Sequence, residues 1–239
     1  INVVVPTGNF GNILASYYAS IMGLPINKFI CASNSNNVLS DFIKTGVYDK
    51  NRHFYTTISP SMDILVSSNL ERRLYKLSGN NADTTKELMT ALKTVGKYEV
   101  SDEIKAEITS KFFGGFCNDE QTKATIKALF DTDKYLCDTH TAVAVNVYEQ
   151  YVEQTGDSTP SVIASTASPY KFSKAVLEAV SDGTDLPENE FDMVEKLFEV
   201  SNAPVPAPLA ALKDKKARFS DVTEVNSMPQ YVLDALNIK

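Results

Sequence analysis

The sequence predicts an α/β fold, an open parallel sheet with helices on both faces. Three observations predict it. Asn2-Val3-Val4-Val5 reads as a buried strand, a turn-rich loop runs from Pro6 to Gly11, and a helix from about Asn12 to Met22 closes at Gly23 and Pro25. Lys28–Ala32 reads as a second strand, so the order is β-loop-α-β, the unit from which parallel sheets are built. The pattern returns late in the chain, with a strand over Ser161–Ser165 and a helix over Pro169–Val180.

The remaining elements follow from capping and periodicity. Asn36 or Asn37 can cap a helix that ends near Gly46. Ser61–Leu77 places Met62, Leu65, Val66, Leu70, Leu74 and Leu77 close to helical period. Residues 83–96, 101–112 and 119–130 read as successive amphipathic helices, which predicts a helical insertion at about 82–135 within one domain spanning 1–239. Thr139–Tyr151 reads as a buried helix, and 187–200 and 228–236 as two more. Pro204, Pro206 and Pro208 form a connector, and the charged run Lys213–Arg218 reads as a solvated helix face.

At 239 residues, with 43% hydrophobic and 22% charged residues, the chain can bury a sizeable core. The net charge of −7, with both signs mixed, argues against a nucleic-acid partner, which selects a basic stripe. No apolar run reaches the roughly 18–20 residues that span a bilayer. Cys31, Cys117 and Cys137 are odd in number and lack metal-ligand spacing, and His53 and His140 are far apart. Reduced thiols, a cytoplasmic setting and no metal are therefore expected, and a homo-oligomer is left open. The chain opens within a strand pattern and without Met, so residue 1 is expected to be an internal point of a longer polypeptide, incomplete at its N-terminus.

Thr7-Gly8-Asn9-Phe10-Gly11-Asn12 lies between the first strand and its helix. A helix start offers unpaired N–H groups and the positive end of its dipole, and the two glycines let backbone approach an anion. The spacing matches neither the dinucleotide fingerprint nor the lysine-bearing nucleotide loop. A phosphate cradle and a tight glycine turn both remain compatible with it, and the strand-loop-helix context favours the cradle. Thr166 stands where the late strand ends, where ligands of open parallel sheets meet the protein, although capping of the Pro169 helix explains it as well. Asp138-Thr139-His140-Thr141 is read as an N-cap cluster before an active-site wall, and His53 as an exposed loop residue. Arg72 suits either a phosphate contact or an ion pair along its helix.

Val5-Pro-Thr-Gly-Asn-Phe-Gly-Asn-Ile-Leu-Ala15 resembles the phosphate loop of the threonine synthase family, fold-type-II pyridoxal-phosphate enzymes of the tryptophan synthase β-like class. The resemblance continues through Ile30–Asn34, Asn37–Phe42, Thr45–Asp49, Ser59–Arg72, Asp138–Val143 and Ser165–Phe172, in that order. It implies that Gly8, Asn9, Phe10, Gly11 and Asn12, with Thr7 a lesser candidate, hold the phosphate of pyridoxal 5'-phosphate, and that Thr166 meets its ring nitrogen. Many relatives carry His where this chain has Ser168, which leaves that neighbouring contact open. The family's Schiff-base lysine lies well before the phosphate loop, so no catalytic residue is assigned within 1–239, and the isolated chain is expected to be inactive. The implied reaction converts O-phosphohomoserine and water to threonine and phosphate, with a phosphorylated amino acid as the small-molecule partner. A threonine or serine dehydratase-like lyase and a non-catalytic phosphate-ligand-binding fragment are the alternatives.

Overall fold

The computed structural model describes residues 1–181, 183–184 and 186–238. It divides into two compact units, Ile1–Pro204 and a smaller one from Val205 onward. The first begins with β1 (Asn2–Pro6), α1 (Gly11–Ile21), β2 (Phe29–Ser33), α2 (Val38–Thr45) and β3 (Val47–Asp49). It continues with α3 (Leu70–Leu77), α4 (Ala82–Thr94), β4 (Lys97–Glu99), α5 (Asp102–Lys111), β5 (Phe112–Phe116) and α6 (Asp119–Asp133), and ends with α7 (Thr139–Thr155), β6 (Ser161–Ile163), α8 (Ser173–Val180) and α9 (Glu190–Ser201).

Four strands form a wholly parallel sheet in the order β5-β2-β1-β6. Both of its faces are covered, as parallel sheets require. Alternation along the strands divides the core in two. Val5, Phe29, Cys31 and Phe112 pack with Ile13 and Leu14 of α1, Val38, Leu39 and Phe42 of α2, and Leu70 and Leu74 of α3. Val4, Ile30 and Ala32 face the other way, onto Val143, Ala144 and Val147 of α7. A second, antiparallel pair joins β3 to β4, with Tyr48 opposite Tyr98 and their rings stacked at 5.2 Å.

Of the ends expected for the second helix, the glycine stop is present, whereas Asn37 stands at the N-cap position without a side-chain cap bond, its Oδ1 accepting from Arg52 at 3.1 Å. Gly46 ends α2 in the left-handed conformation at φ 78°. The expected helix over 61–77 is not continuous. A 3-10 turn at Pro60–Met62 and irregular backbone to Asn69 precede α3, because the polar groups of this stretch bond to distant loops. Asp63, for example, accepts from Asn34, Asn36 and Thr57. The segment 82–135 holds α4, α5 and α6, and also β4 and β5, the latter an edge strand of the main sheet. Two glycines hid that strand: a Cβ on Gly114 would lie 2.9 Å from the Ser40 backbone of α2, and one on Gly115 2.6 Å from Val147 of α7. At these two positions only residues without a side chain fit between those helices.

In the second unit a short helix α10 (Ala207–Ala210) and α11 (Met228–Ala235) are the helices described. Lys213–Arg218 is exposed and forms turns, not the helix face expected.

Candidate functional site

The strand order places the candidate site. From β1 the chain steps to β2 and β5 on one side, and later returns as β6 on the other side of β1. The carboxyl ends of β1 and β6 therefore flank a topological switch point, where open parallel sheets bind ligands. The loop at residues 7–12 leaves β1, and Ala164–Ser168 leaves β6; the two chains part just after Val4 pairs with Ile163 and Val4 O accepts from Ala164 N–H at 2.9 Å. The two segments singled out in the sequence, far apart in the chain, thus meet at one edge.

Within the loop, Thr7 is committed to the protein: its N–H donates to Ala32 O at 2.8 Å and its hydroxyl to Val5 O at 2.7 Å. The next residues differ. The first helical bond of α1 runs from Leu14 N–H to Phe10 O, and none of the N–H groups of Gly8 through Ile13 donates to an acceptor among the described residues. Asn9, Gly11 and Asn12 are exposed, and the first turn of α1 carries no acidic residue. Six successive donors with the helix dipole behind them make an anion-accepting concavity.

Two features shape it. Phe10 takes the left-handed conformation at φ 62°, uncommon for a non-glycine residue, while its ring is buried and stacked 5.9 Å from Phe112. Burial of the ring thus holds a backbone turn that the residue alone disfavours. Gly8 has a steric role as well. A Cβ there would sit 2.7 Å from Ser61 O and 3.3 Å from Met62 Cα, so its bareness admits the 59–62 turn. That turn is anchored in its own right: Ser61 N–H donates to His140 Nε2 at 3.2 Å.

His140 belongs to a buried polar knot at the start of α7. Asp138 caps the helix, accepting from the N–H groups of His140 at 2.8 Å and Thr141 at 3.3 Å. Because His140 Nε2 accepts from Ser61, its proton resides on Nδ1, 3.2 Å from Asp138 Oδ1. Burial raises the Asp138 pKa, but hydrogen bonds from His140 and Thr141 outweigh it and hold the carboxyl below its ordinary range. The N-cap reading therefore stands, with an addition that the sequence did not disclose. The knot reaches both sides of the switch point, through Ser61 beside Gly8 and through Thr141 Oγ1, 3.3 Å from Ser165 Oγ.

Thr166 is exposed just beyond β6, and the cap of the following 3-10 turn is Ser168, whose Oγ accepts from Tyr170 N–H at 3.3 Å. The helix-cap explanation therefore belongs to Ser168. The three cysteines are buried and free, and burial pushes the Cys31 thiol up to about 12. His53 is exposed beside Tyr55, as expected. Arg72 donates to Ser68 O and Asn69 Oδ1. The segment Leu65–Asn69, which abuts the cradle through Ser67 and Asn69, was missed as a site element because its apolar spacing imitates a helix. Its signal was the Ser67-Ser68-Asn69 run, a helix-start composition in the middle of the expected helix.

Comparison with known proteins points to one family. Residues 141–232 match the family model described as Threonine synthase, C-terminal. Over 75% of its length the chain is 42% identical to Threonine synthase-like 1 of Homo sapiens, covering 24% of that protein. It is 40% identical to threonine synthase of Pseudomonas aeruginosa, covering 80% of this chain and 40% of that one. The structure superposes on pyridoxal-phosphate-bound threonine synthase from Brucella melitensis with a TM-score of 0.82 and 35% identity, over 97% of this chain and 45% of that one. The parallel sheet and this superposition define the chain as a portion of the α/β architecture of fold-type-II pyridoxal-phosphate enzymes. Within that class it is homologous to the C-terminal portion of threonine synthase, and it spans less than half the length of each of these relatives. Among the described residues no helix is long and apolar enough to cross a membrane.

Proposed function

We propose that this chain is the C-terminal part of the large cofactor-binding domain of a threonine synthase, a carbon–oxygen lyase that converts O-phosphohomoserine and water to threonine and phosphate. The observation that carries the proposal is the meeting of the 8–12 loop and Thr166 at one switch point, in a chain homologous to that family. The residues suit pyridoxal 5'-phosphate. Six N–H groups with no acceptor among the described residues, at a helix start free of acidic residues, match a phosphate dianion. An exposed hydroxyl at the end of the adjacent strand suits a ring nitrogen.

The cofactor, when bound, supplies an electron sink for the amino-acid substrate. Gly8, Asn9, Phe10, Gly11 and Asn12 would hold its phosphate through backbone N–H groups. The Thr166 hydroxyl would donate to the ring nitrogen and, being neutral, would not enforce a positive charge there as a carboxylate would. The lysine that binds the cofactor covalently comes from outside residues 1–239, so this chain alone is inactive. The substrate is a small phosphorylated amino acid. The setting is cytoplasmic, in keeping with three free, buried thiols.

The test uses the full-length polypeptide that carries this chain. Incubated with pyridoxal phosphate and O-phosphohomoserine, it should release threonine and inorganic phosphate in equal amounts. Absence of both products, with a 2-oxo acid formed from threonine or serine instead, would establish the dehydratase-like reading.

A further inference from the structure

Two carbonyls of the loop after β1 accept hydrogen bonds from the 65–69 segment. Ser67 is buried, and its hydroxyl donates to Gly8 O at 2.9 Å. Asn69 donates twice to Asn9 O, from its backbone N–H at 3.1 Å and its side-chain amide at 2.8 Å. These carbonyls belong to two successive peptide units, and the chain contains no cis bond among the described residues. In a trans peptide the N–H points opposite to the C=O. Drawing the carbonyls of residues 8 and 9 towards Ser67 and Asn69 therefore turns the N–H groups of Asn9 and Phe10 away from them, into the row of unpartnered donors.

Asn69 departs from its local role in order to do this. It occupies the N-cap position of α3, where an asparagine side chain ordinarily accepts from the helix's first N–H groups, yet it makes no such bond. Its Oδ1 instead accepts from Arg72 at 3.1 Å. A guanidinium only donates, so this contact fixes which way the amide lies and leaves Nδ2 for Asn9 O. The other end of the segment is fixed as firmly. The buried Tyr48 hydroxyl accepts from Ser67 N–H at 2.8 Å and donates to Leu65 O at 3.1 Å, and burial pushes its pKa up to about 12, so it keeps its proton at neutral pH. Breaking a helix cap to satisfy a loop 60 residues away is a local inconsistency of the kind found at functional sites.

We infer that Ser67 and Asn69, with Arg72 and Tyr48 behind them, are positioning residues that orient the phosphate cradle. The inference rests on the reading of residues 8–12 as that cradle, and it assigns no direct ligand contact to the four. Loss of the Ser67 hydroxyl frees Gly8 O to rotate, and loss of the Asn69 amide leaves Asn9 O held by the Asn69 N–H alone, so the N–H groups behind them lose their aim and affinity for the phosphate group falls while affinity for the rest of the cofactor does not.

The experiment compares pyridoxal 5'-phosphate with pyridoxal, which lacks the phosphate, as ligands of the full-length protein by equilibrium dialysis. Wild type should prefer the phosphorylated form. Ser67→Ala and Asn69→Leu should each cut that preference about fivefold, the worth of one hydrogen bond, and Ser67→Thr, which keeps the hydroxyl, should restore it. Asn69→Asp is nearly isosteric and sets a carboxylate against Asn9 O; it should lose preference with its melting temperature preserved, which covers the case of an unstable leucine variant. If wild type shows no preference, the cradle reading itself is wrong. If wild type shows it and folded Ser67→Ala and Asn69→Asp retain it in full, the cradle stands and the positioning role is refuted.

Discussion

Replacing Gly8 by alanine tests how the cradle is built. The added Cβ would lie 2.7 Å from Ser61 O and 3.3 Å from Met62 Cα, both backbone atoms. An ordinary carbon–oxygen approach is about 3.3 Å, so one side must withdraw by roughly 0.5 Å. Neither side yields easily. Ser61 is tied to His140, Met62 is buried against the sheet, and Asn34 holds Ser59 O at 3.3 Å. Overpacking of this kind costs about 1–3 kcal/mol, of which about 0.5 is recovered because alanine restricts the unfolded chain. The net loss of about 1–2 kcal/mol should lower the urea midpoint of the Ile1–Pro204 unit by about 0.5–1 M. Gly11 provides the internal control. A Cβ there meets only Asn69 Nδ2, at 3.4 Å, an ordinary contact, and alanine favours the first helical turn. Gly11→Ala should therefore leave the midpoint unchanged or raise it. Equal midpoints for Gly8→Ala and wild type would show that the 59–62 turn does not pack on Gly8, and the steric account would fail.

Phe10 offers a second comparison. Phe10→Ala removes the buried ring and should cost about 3–5 kcal/mol, whereas Phe10→Gly also relieves the left-handed backbone and should cost about 0.5–1 kcal/mol less; the reverse order in denaturation would mean that φ 62° carries no strain. Asp138→Ala removes a cap and buried hydrogen bonds from His140 and Thr141, and should destabilise the protein by about 2–3 kcal/mol at pH 7. Because the folded-state pKa of Asp138 is depressed, that contribution is complete above the unfolded value near 4 and disappears as pH falls through the folded value. The gap between wild type and variant should therefore narrow below about pH 4, and a gap that widened on acidification would contradict the assignment.

The sequence alone determined the elements whose causes lie within a few residues. The Val3-Val4-Val5 run, the glycine-bounded loop and the apolar face of α1 name a strand, a turn and a helix wherever they occur. Gly46 and Asp138 mark helix ends through backbone freedom and a side-chain cap respectively. The family was equally legible, because its signals are ordered motifs, and the same motifs named the loop at 8–12 and Thr166 as candidates. Only the tertiary structure decided the rest. β5 is a strand because α2 and α7 close on Gly114 and Gly115 from opposite faces, which a glycine pair does not announce. Residues 63–69 leave the helical path that their apolar spacing suggests because Asp63, Ser67 and Asn69 bond to partners outside the segment, Ser67 and Asn69 to carbonyls some 60 residues away. Gly8 was recognised as necessary, but its reason, the approach of Ser61, appears only when the chain has folded. Caps and turns are written in neighbouring residues, whereas close approach and hydrogen bonds between distant loops depend on where the sheet brings them.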